Sequence, residues 1–231
     1  MLWQDAQVTR SDRHQYLIRL GYDGSRFYGV PPQKSGPTVA VALKERLESA
    51  AGQRARALCF TARTDRGVHA LENYATCWFL NPFDAAAFES AVGGERDDGL
   101  LRVEAFPVDI HVHARNLSAG KWYRYRIRTD GEADDRALHV VDALDWSAMQ
   151  EMARHFQGTH DFSAYRYRCS SPNTVKTLSR VELIRADGVI ECHFEGNAFL
   201  RWMIRKLVGT LIAVGQGQFS IEDAVGLLDS G

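Results

Sequence analysis

An α+β fold is predicted for this chain, opening with a split βαβ, ferredoxin-like half. Short runs of alternating apolar residues mark strands, and longer runs with apolar residues at helical spacing mark helices. From Tyr16 to Phe106 they follow the order strand, helix, strand, strand, helix, strand, which is the split βαβ arrangement. A third signal lies near the end, where Asp187-Gly188 between two alternating runs predicts a tight hairpin.

Residues 1 to 14 are polar and aperiodic and read as an N-terminal arm. Tyr16 to Tyr22 alternates as the first strand, and Asp23-Gly24-Ser25 breaks it. Thr38 is placed to cap a helix whose inner face carries Val39, Leu43, Leu47 and Ala50, with Lys44, Glu45, Arg46 and Glu48 elsewhere and Gly52 as its stop. Two apolar strand runs follow, Ala57 to Phe60 and Tyr74 to Leu80. Pro82-Phe83-Asp84 starts a second helix, with Phe83, Ala86, Ala87, Ser90 and Ala91 as its inner positions. Leu100 to Phe106 closes the first half, and Pro107-Val108-Asp109 is the expected boundary, giving halves 15–107 and 108–231. In the second half Lys121 to Tyr125 reads as a strand, with Lys121, Tyr123 and Tyr125 on one face and Trp122 and Arg124 on the other. A helix led by Ser147 has Met149, Met152, Ala153 and Phe156 inward. After the hairpin around Asp187-Gly188, an apolar stripe of Phe199, Met203, Leu207 and Leu211 marks another helix, with Arg205 off the stripe. Ile221 to Leu228 is the last helix.

Composition narrows the function classes. No apolar run reaches membrane-spanning length, and Met1 to Gln7 lacks the basic and apolar regions of a signal peptide. The four cysteines, Cys59, Cys77, Cys169 and Cys192, form no CxxC pair. They read as reduced thiols of a cytoplasmic protein, without a metal site. A net charge of −1 does not announce a nucleic-acid binder, although a local patch can hide within it.

Chemistry concentrates in Thr61-Ala62-Arg63-Thr64-Asp65-Arg66-Gly67-Val68-His69-Ala70, between the two apolar strand runs. Charge inside either strand would be desolvated without compensation, so this insert belongs to a loop held by the sheet. Asp65 has Arg63 and Arg66 within ion-pairing reach in sequence, and such flanking cations favour a carboxylate. His160-Asp161 has the look of half a catalytic triad. No serine or cysteine sits in a nucleophile motif, which excludes that hydrolase class.

The stretch Ala62 to Ala70 resembles the catalytic motif of the tRNA pseudouridine synthase A family, Gly-Arg-Thr-Asp-Ala-Gly-Val-His-Ala, at seven of nine positions. Other stretches are similar to that family as well. They are Tyr22 to Gly29, His113-Ala114-Arg115, Lys121 to Tyr125 as Lys-x-Tyr-x-Tyr, Gly158 to Phe162, the segment from Ser171 to Leu178, and Asn197 to Gly209. Val30-Pro31 and the stretch 93–99 depart from it, and the family's Ala-Pro-x-x-Gly-Leu-x-Leu segment has no counterpart after Leu228, which reads as a shortened C-terminus.

The resemblance implies the pseudouridine synthase fold, with two ferredoxin-like halves, joined antiparallel sheets and a central cleft. It implies an isomerase that turns uridine into pseudouridine in RNA, most readily tRNA, without metal or organic cofactor. It assigns catalysis to Asp65, Arg205 and Tyr123, and substrate binding to Arg63, Arg66, His69, Arg115 and Lys121. RNA is the expected partner, with a homodimer as a further expectation and no membrane. Two alternatives stay open: the same isomerisation of a free uridine nucleotide, and an RNA-binding homologue without activity.

Overall fold

The computed structural model of the chain describes residues 13–81, 83–94, 96–167 and 172–229. The expected arm, Cys169 and Ser171 of the segment that leads to Leu178 thus fall largely or wholly outside the described residues. The chain divides into two compact units, with the division after Ser118.

The first unit is built on β1 (His14–Tyr22), α1 (Val39–Ala51), β2 (Arg56–Phe60), β3 (Ala70–Phe79), α2 (Ala85–Gly93) and β4 (Leu100–Val108). Its antiparallel sheet has the order β2-β3-β1-β4, so β1 lies between strands that come much later in the chain. The reason is in the alternation of β1. Tyr16, Ile18, Leu20 and Tyr22 all point into the core, where both helices cover them. Pro107 is tolerated in β4 because β4 is an edge strand and needs no second row of backbone donors. The segment after β4 packs back on the same unit through the short helix α3 (Ala114–Leu117), where the Ala114 N–H donates to Thr76 Oγ1 at 3.3 Å.

α1 is framed as expected, with Thr38 accepting from the Val41 N–H and Gly52 in the left-handed conformation at its end. Arg46, however, is no surface residue. Its side chain is 2 % exposed and meets Asp98 through two hydrogen bonds of 2.6 and 2.7 Å. The guanidinium is planar and two-pronged, so it can enter a core when a carboxylate meets both prongs. The inner face expected for α2 is also corrected. Phe88 and Val92 are buried, whereas Ala86, Ala87, Ser90 and Ala91 are exposed. An alanine-rich helix gives its apolar phase weakly, and the two bulky side chains decide it, Phe88 by packing on Tyr16, Phe79 and Phe83 and Val92 by its burial.

The second unit contains β5 (Lys121–Arg128), β6 (Leu138–His139), α4 (Trp146–Phe156), β7 (Gly158–Asp161), β8 (Val175–Ala186), β9 (Val189–Gly196), α5 (Met203–Gly215) and α6 (Ile221–Asp229). Its sheet order is β6-β5-β9-β8-β7, and all pairings are antiparallel except the short β5–β6 contact. The stretch β5-β9-β8 repeats the β1-β3-β2 arrangement of the first unit. Met149, Met152, Ala153 and Phe156 of α4 pack with Met203, Leu207 and Leu211 of α5, the faces that their spacing predicts. α4 begins at Trp146 because Asp145, ahead of Ser147, caps it through the Ala148 N–H. The Asp187-Gly188 turn has both residues at positive φ, +49° and +72°, as a two-residue hairpin of this kind requires.

Candidate active site

The loop 61–69 joins β2 to β3 and is held by its backbone. The Thr61 N–H donates to the Tyr74 carbonyl at 2.8 Å, the Val30 N–H to the Thr64 carbonyl at 3.1 Å, and the Val68 N–H to the Asp65 carbonyl at 3.3 Å. The turn after β1 lies against this loop with no side chain between. A Cβ on Gly24 would collide with the Val68 carbonyl, and one on Gly29 (φ +98°) would stand 2.9 Å from the Thr64 carbonyl oxygen. The opening motif and the Asp65 loop are therefore two halves of one backbone assembly, and both glycines are there for that close approach.

A buried polar network fastens the same loop from the core side. Asn73 is 4 % exposed. Its Nδ2 donates to the Ala62 carbonyl at 3.0 Å and to the Tyr22 hydroxyl at 3.3 Å, and its Oδ1 accepts from the Tyr74 N–H at 2.9 Å and the Thr61 hydroxyl at 2.8 Å. The Tyr74 N–H can only donate and the Ala62 carbonyl can only accept, so the amide has one orientation. Tyr22, fully buried, pairs with Thr64 Oγ1 at 2.9 Å, next to Asp65, and burial raises its phenol pKa above the ordinary 10. Every side-chain oxygen and nitrogen of Asn73 thus has a partner, as a buried amide requires.

Within this frame Asp65 is partly buried, while Arg63, Arg66 and His69 are exposed. The Arg66 guanidinium lies over the Tyr28 ring, 4.2 Å from its centroid. That cation–π contact turns the side chain onto the turn after β1. His69 Nδ1 receives the Gly24 N–H at 3.2 Å and lies 3.1 Å from Asp23 Oδ1. The two contacts exclude each other: the first needs the lone pair of a neutral ring, the second a proton on the same nitrogen. Arg115 stands exposed on α3, whose N-terminal residue Ala114 is buried and whose cap, His113, accepts the Arg115 N–H.

In the second unit Lys121 and Tyr123 lie on one face of β5, opposite Gly196 and Phe194 of β9. Tyr123 packs edge-on against Phe199, with ring centroids 5.0 Å apart. Burial lowers the pKa of the Lys121 ammonium. Arg205 sits in the first turn of α5, exposed, while Met203 and Leu207 on either side of it are buried. The turn into that helix is unusual. Trp202 has φ +67° and 38 % exposure, and it rests on Tyr167 at 4.3 Å between centroids. A non-glycine residue in this region of backbone space costs about 1–2 kcal/mol.

Four positions escaped the sequence reading. Asn73 and Thr64 lock the loop, Tyr28 holds Arg66, and Trp202 opens α5. Asn73 lies just before the apolar run that starts at Tyr74, and only the structure, in which β3 begins at Ala70, places this amide inside a strand, where asparagine is depleted.

Comparison with known proteins places this architecture. The model of the tRNA pseudouridine synthase family matches residues 152–231. The tRNA pseudouridine synthase A of Acetivibrio thermocellus is 34 % identical over 216 residues, covering 91 % of this chain and 88 % of that protein. The protein of the same name from Neisseria gonorrhoeae is 34 % identical over 233 residues, at 96 % and 85 % coverage, and that of Rhodospirillum centenum 34 % over 217 residues, at 90 % and 87 %. These alignments run through both units, and on them the chain belongs to the tRNA pseudouridine synthase A family.

Proposed function

We propose that the chain is an isomerase that converts uridine to pseudouridine in tRNA. The observation that carries this reading is the Arg63-Thr64-Asp65 loop of a pseudouridine synthase, clamped by backbone contacts on one side and by the Asn73–Tyr22–Thr64 network on the other. The reaction breaks the N1–C1′ bond, turns the uracil, and joins C5 to C1′. The C5 proton must leave and N1 must finish protonated, so the product is an isomer and nothing is consumed.

Each step asks for a residue type that the chain supplies. A carboxylate is needed to attack the nucleoside or to remove a sugar proton, and Asp65 takes that role. A cation must favour the ionised carboxylate, and Arg205 takes it. A ring must hold the detached uracil by stacking, and Tyr123 takes it, with its hydroxyl as the group for the C5 proton. Extracting the uridine from its stack costs a few kcal/mol, and Arg63 is suited to fill the space left behind. Arg66, His69, Arg115 and Lys121 contribute substrate contacts, and the two exposed arginines suit phosphates. Cytoplasmic location and a homodimeric assembly belong to the same proposal, open to cell fractionation and sedimentation. Three described cysteines without a disulfide fit the former.

Tritium release from a tRNA transcript labelled at C5 of uridine tests the proposal. Wild-type protein should release tritium. Asp65→Asn and Asp65→Ala should release none while folding normally, and Arg205→Met should lose the activity that Arg205→Lys keeps only in part, because an ammonium lacks the planar fork of a guanidinium. Multiple turnover by either Asp65 variant removes Asp65 from the centre of the mechanism.

A further inference from the structure

We propose that Tyr167 and Trp202, with Arg201 beside them, form a stacking step for an unpaired nucleobase of the RNA next to the uridine that is isomerised. The proposal rests on the pseudouridine synthase reading and adds a binding element to it.

Both rings are 38 % exposed, and their centroids are 4.3 Å apart with planes inclined by 51°. The Arg201 guanidinium covers Tyr167 at 4.7 Å from its centroid. The step is fixed in place from several directions. The Tyr167 N–H donates to the Arg201 carbonyl at 2.9 Å, and Lys206 Nζ reaches the carbonyls of Ala164 and Arg166 at 2.8 and 2.9 Å. Tyr165, two residues before Tyr167, is buried and ends in a hydrogen bond to the Ala224 carbonyl. Rings held this way lose little freedom when a base lands on them.

The backbone at Trp202 is the second, independent observation. The chain must bury Leu200 and Met203 on either side, and it does so through a left-handed turn at Trp202. Glycine or asparagine would make that turn with less strain. Trp202 gains no helix cap there, since its side chain makes no capping hydrogen bond, and it buries only part of its ring. Core packing therefore does not account for a tryptophan at this position, whereas a ring presented to a ligand does.

Charge selects the ligand. No acidic residue occurs from 196 to 221, a stretch that contains Arg201, Arg205 and Lys206. An aromatic step beside cations suits a base stacked flat with its phosphates on the basic side, and such stacking tolerates any base. Trp202 is the N-cap of α5 and Arg205 lies in the first turn of that helix, so a base on the step sits at the same helix end as Arg205.

Four variants test this against wild type, using a tRNA transcript, by filter binding and by pseudouridine formation. Trp202→Ala should raise Kd and KM about tenfold and leave kcat unchanged, and Trp202→Phe should restore most of the affinity. The salt dependence of binding should stay as in wild type for Trp202→Ala but drop by about one counterion for Arg201→Ala. Trp202→Gly separates binding from folding, since it relaxes the left-handed turn. It should melt no lower than wild type and still bind RNA about tenfold more weakly. An active wild type with Trp202→Ala binding equally well overturns the step alone. So does a Trp202→Ala defect that appears as altered sedimentation without RNA, which would make the step a protein contact. A wild type that neither binds tRNA nor forms pseudouridine overturns the parent reading, and the step with it.

Discussion

Replacing Asn73 with alanine should loosen the Asp65 loop without touching any group that meets substrate. The variant loses four hydrogen bonds. Two of the groups left behind keep a partner or find water: Tyr22 retains Thr64 Oγ1, and the Thr61 hydroxyl belongs to a half-buried residue. The Tyr74 N–H and the Ala62 carbonyl lose the partners that Asn73 supplied. An unsatisfied buried polar group costs about 1–3 kcal/mol, so the pair, with the cavity left by the amide, amounts to about 2–4 kcal/mol. At a urea slope of about 2 kcal/mol per molar, a loss near 3 kcal/mol lowers the midpoint of the first unit by about 1.5 M. Turnover should fall further than stability suggests, because a displacement of about 1 Å at a reacting group costs about a hundredfold. Urea titration, tritium release, and hydrogen exchange at the Val30 and Thr61 amides form the assay. Both amides bond to the loop or its flanking strand and should exchange faster. A variant with wild-type turnover and equally protected Val30 and Thr61 amides refutes the claim that Asn73 positions the loop.

Tyr123→Phe should keep tRNA affinity, whereas Tyr123→Ala should weaken it by about 1–3 kcal/mol, the worth of one base stack; equal binding by the two variants removes the stacking role. Asp98→Asn should destabilise the first unit by about 2–3 kcal/mol, below the range of about 3–5 for a broken buried pair because Asp98 keeps 27 % side-chain exposure and asparagine keeps one acceptor. The double variant Arg46→Met, Asp98→Asn should recover part of that loss, measured by urea midpoint. Glu72 should contribute to acid sensitivity. The Tyr74 hydroxyl at 2.6 Å, followed by Arg19, holds its carboxyl below the ordinary 4.5, so its contribution is full above that pH and fades as pH falls through the lowered value. Glu72→Gln should therefore differ from wild type in thermal midpoint at pH 7 and converge with it in strong acid.

The parts of the fold readable from sequence were those in which local chemistry and burial agree. α1 has a cap, an apolar face and a glycine stop, and the helix occupies the expected span. α4 buries the four expected side chains, and Asp187-Gly188 makes its hairpin. What escaped was non-local. Arg46 looks like one more charge on a helix until Asp98, 52 positions away, is folded against it. Asn73 becomes part of the loop's frame only when β1 brings Tyr22 beside it. The α2 phase failed because alanines carry little burial energy, so Phe88 and Val92 set the rotation of the helix. The loop's family motif was legible because its residues are contiguous, and its rigidity was not, because the groups that hold it come from β1, β3 and the turn after β1.

The close approach of Gly24 and Gly29 to the Asp65 loop bears on how this site changes over time. Two peptide planes in contact transmit position without regard to which side chains hang from the loop. Substitution at Ala62 or Arg66, the two places where the loop leaves the family's pattern, can then alter what the site touches while Asp65 stays where it is. A glycine replaced by alanine would do the reverse, leaving every contacting side chain intact and moving the carboxylate. What the loop's side chains touch and where its backbone lies thereby rest on different residues, and Gly24 and Gly29 join Asn73 among those that fix the backbone.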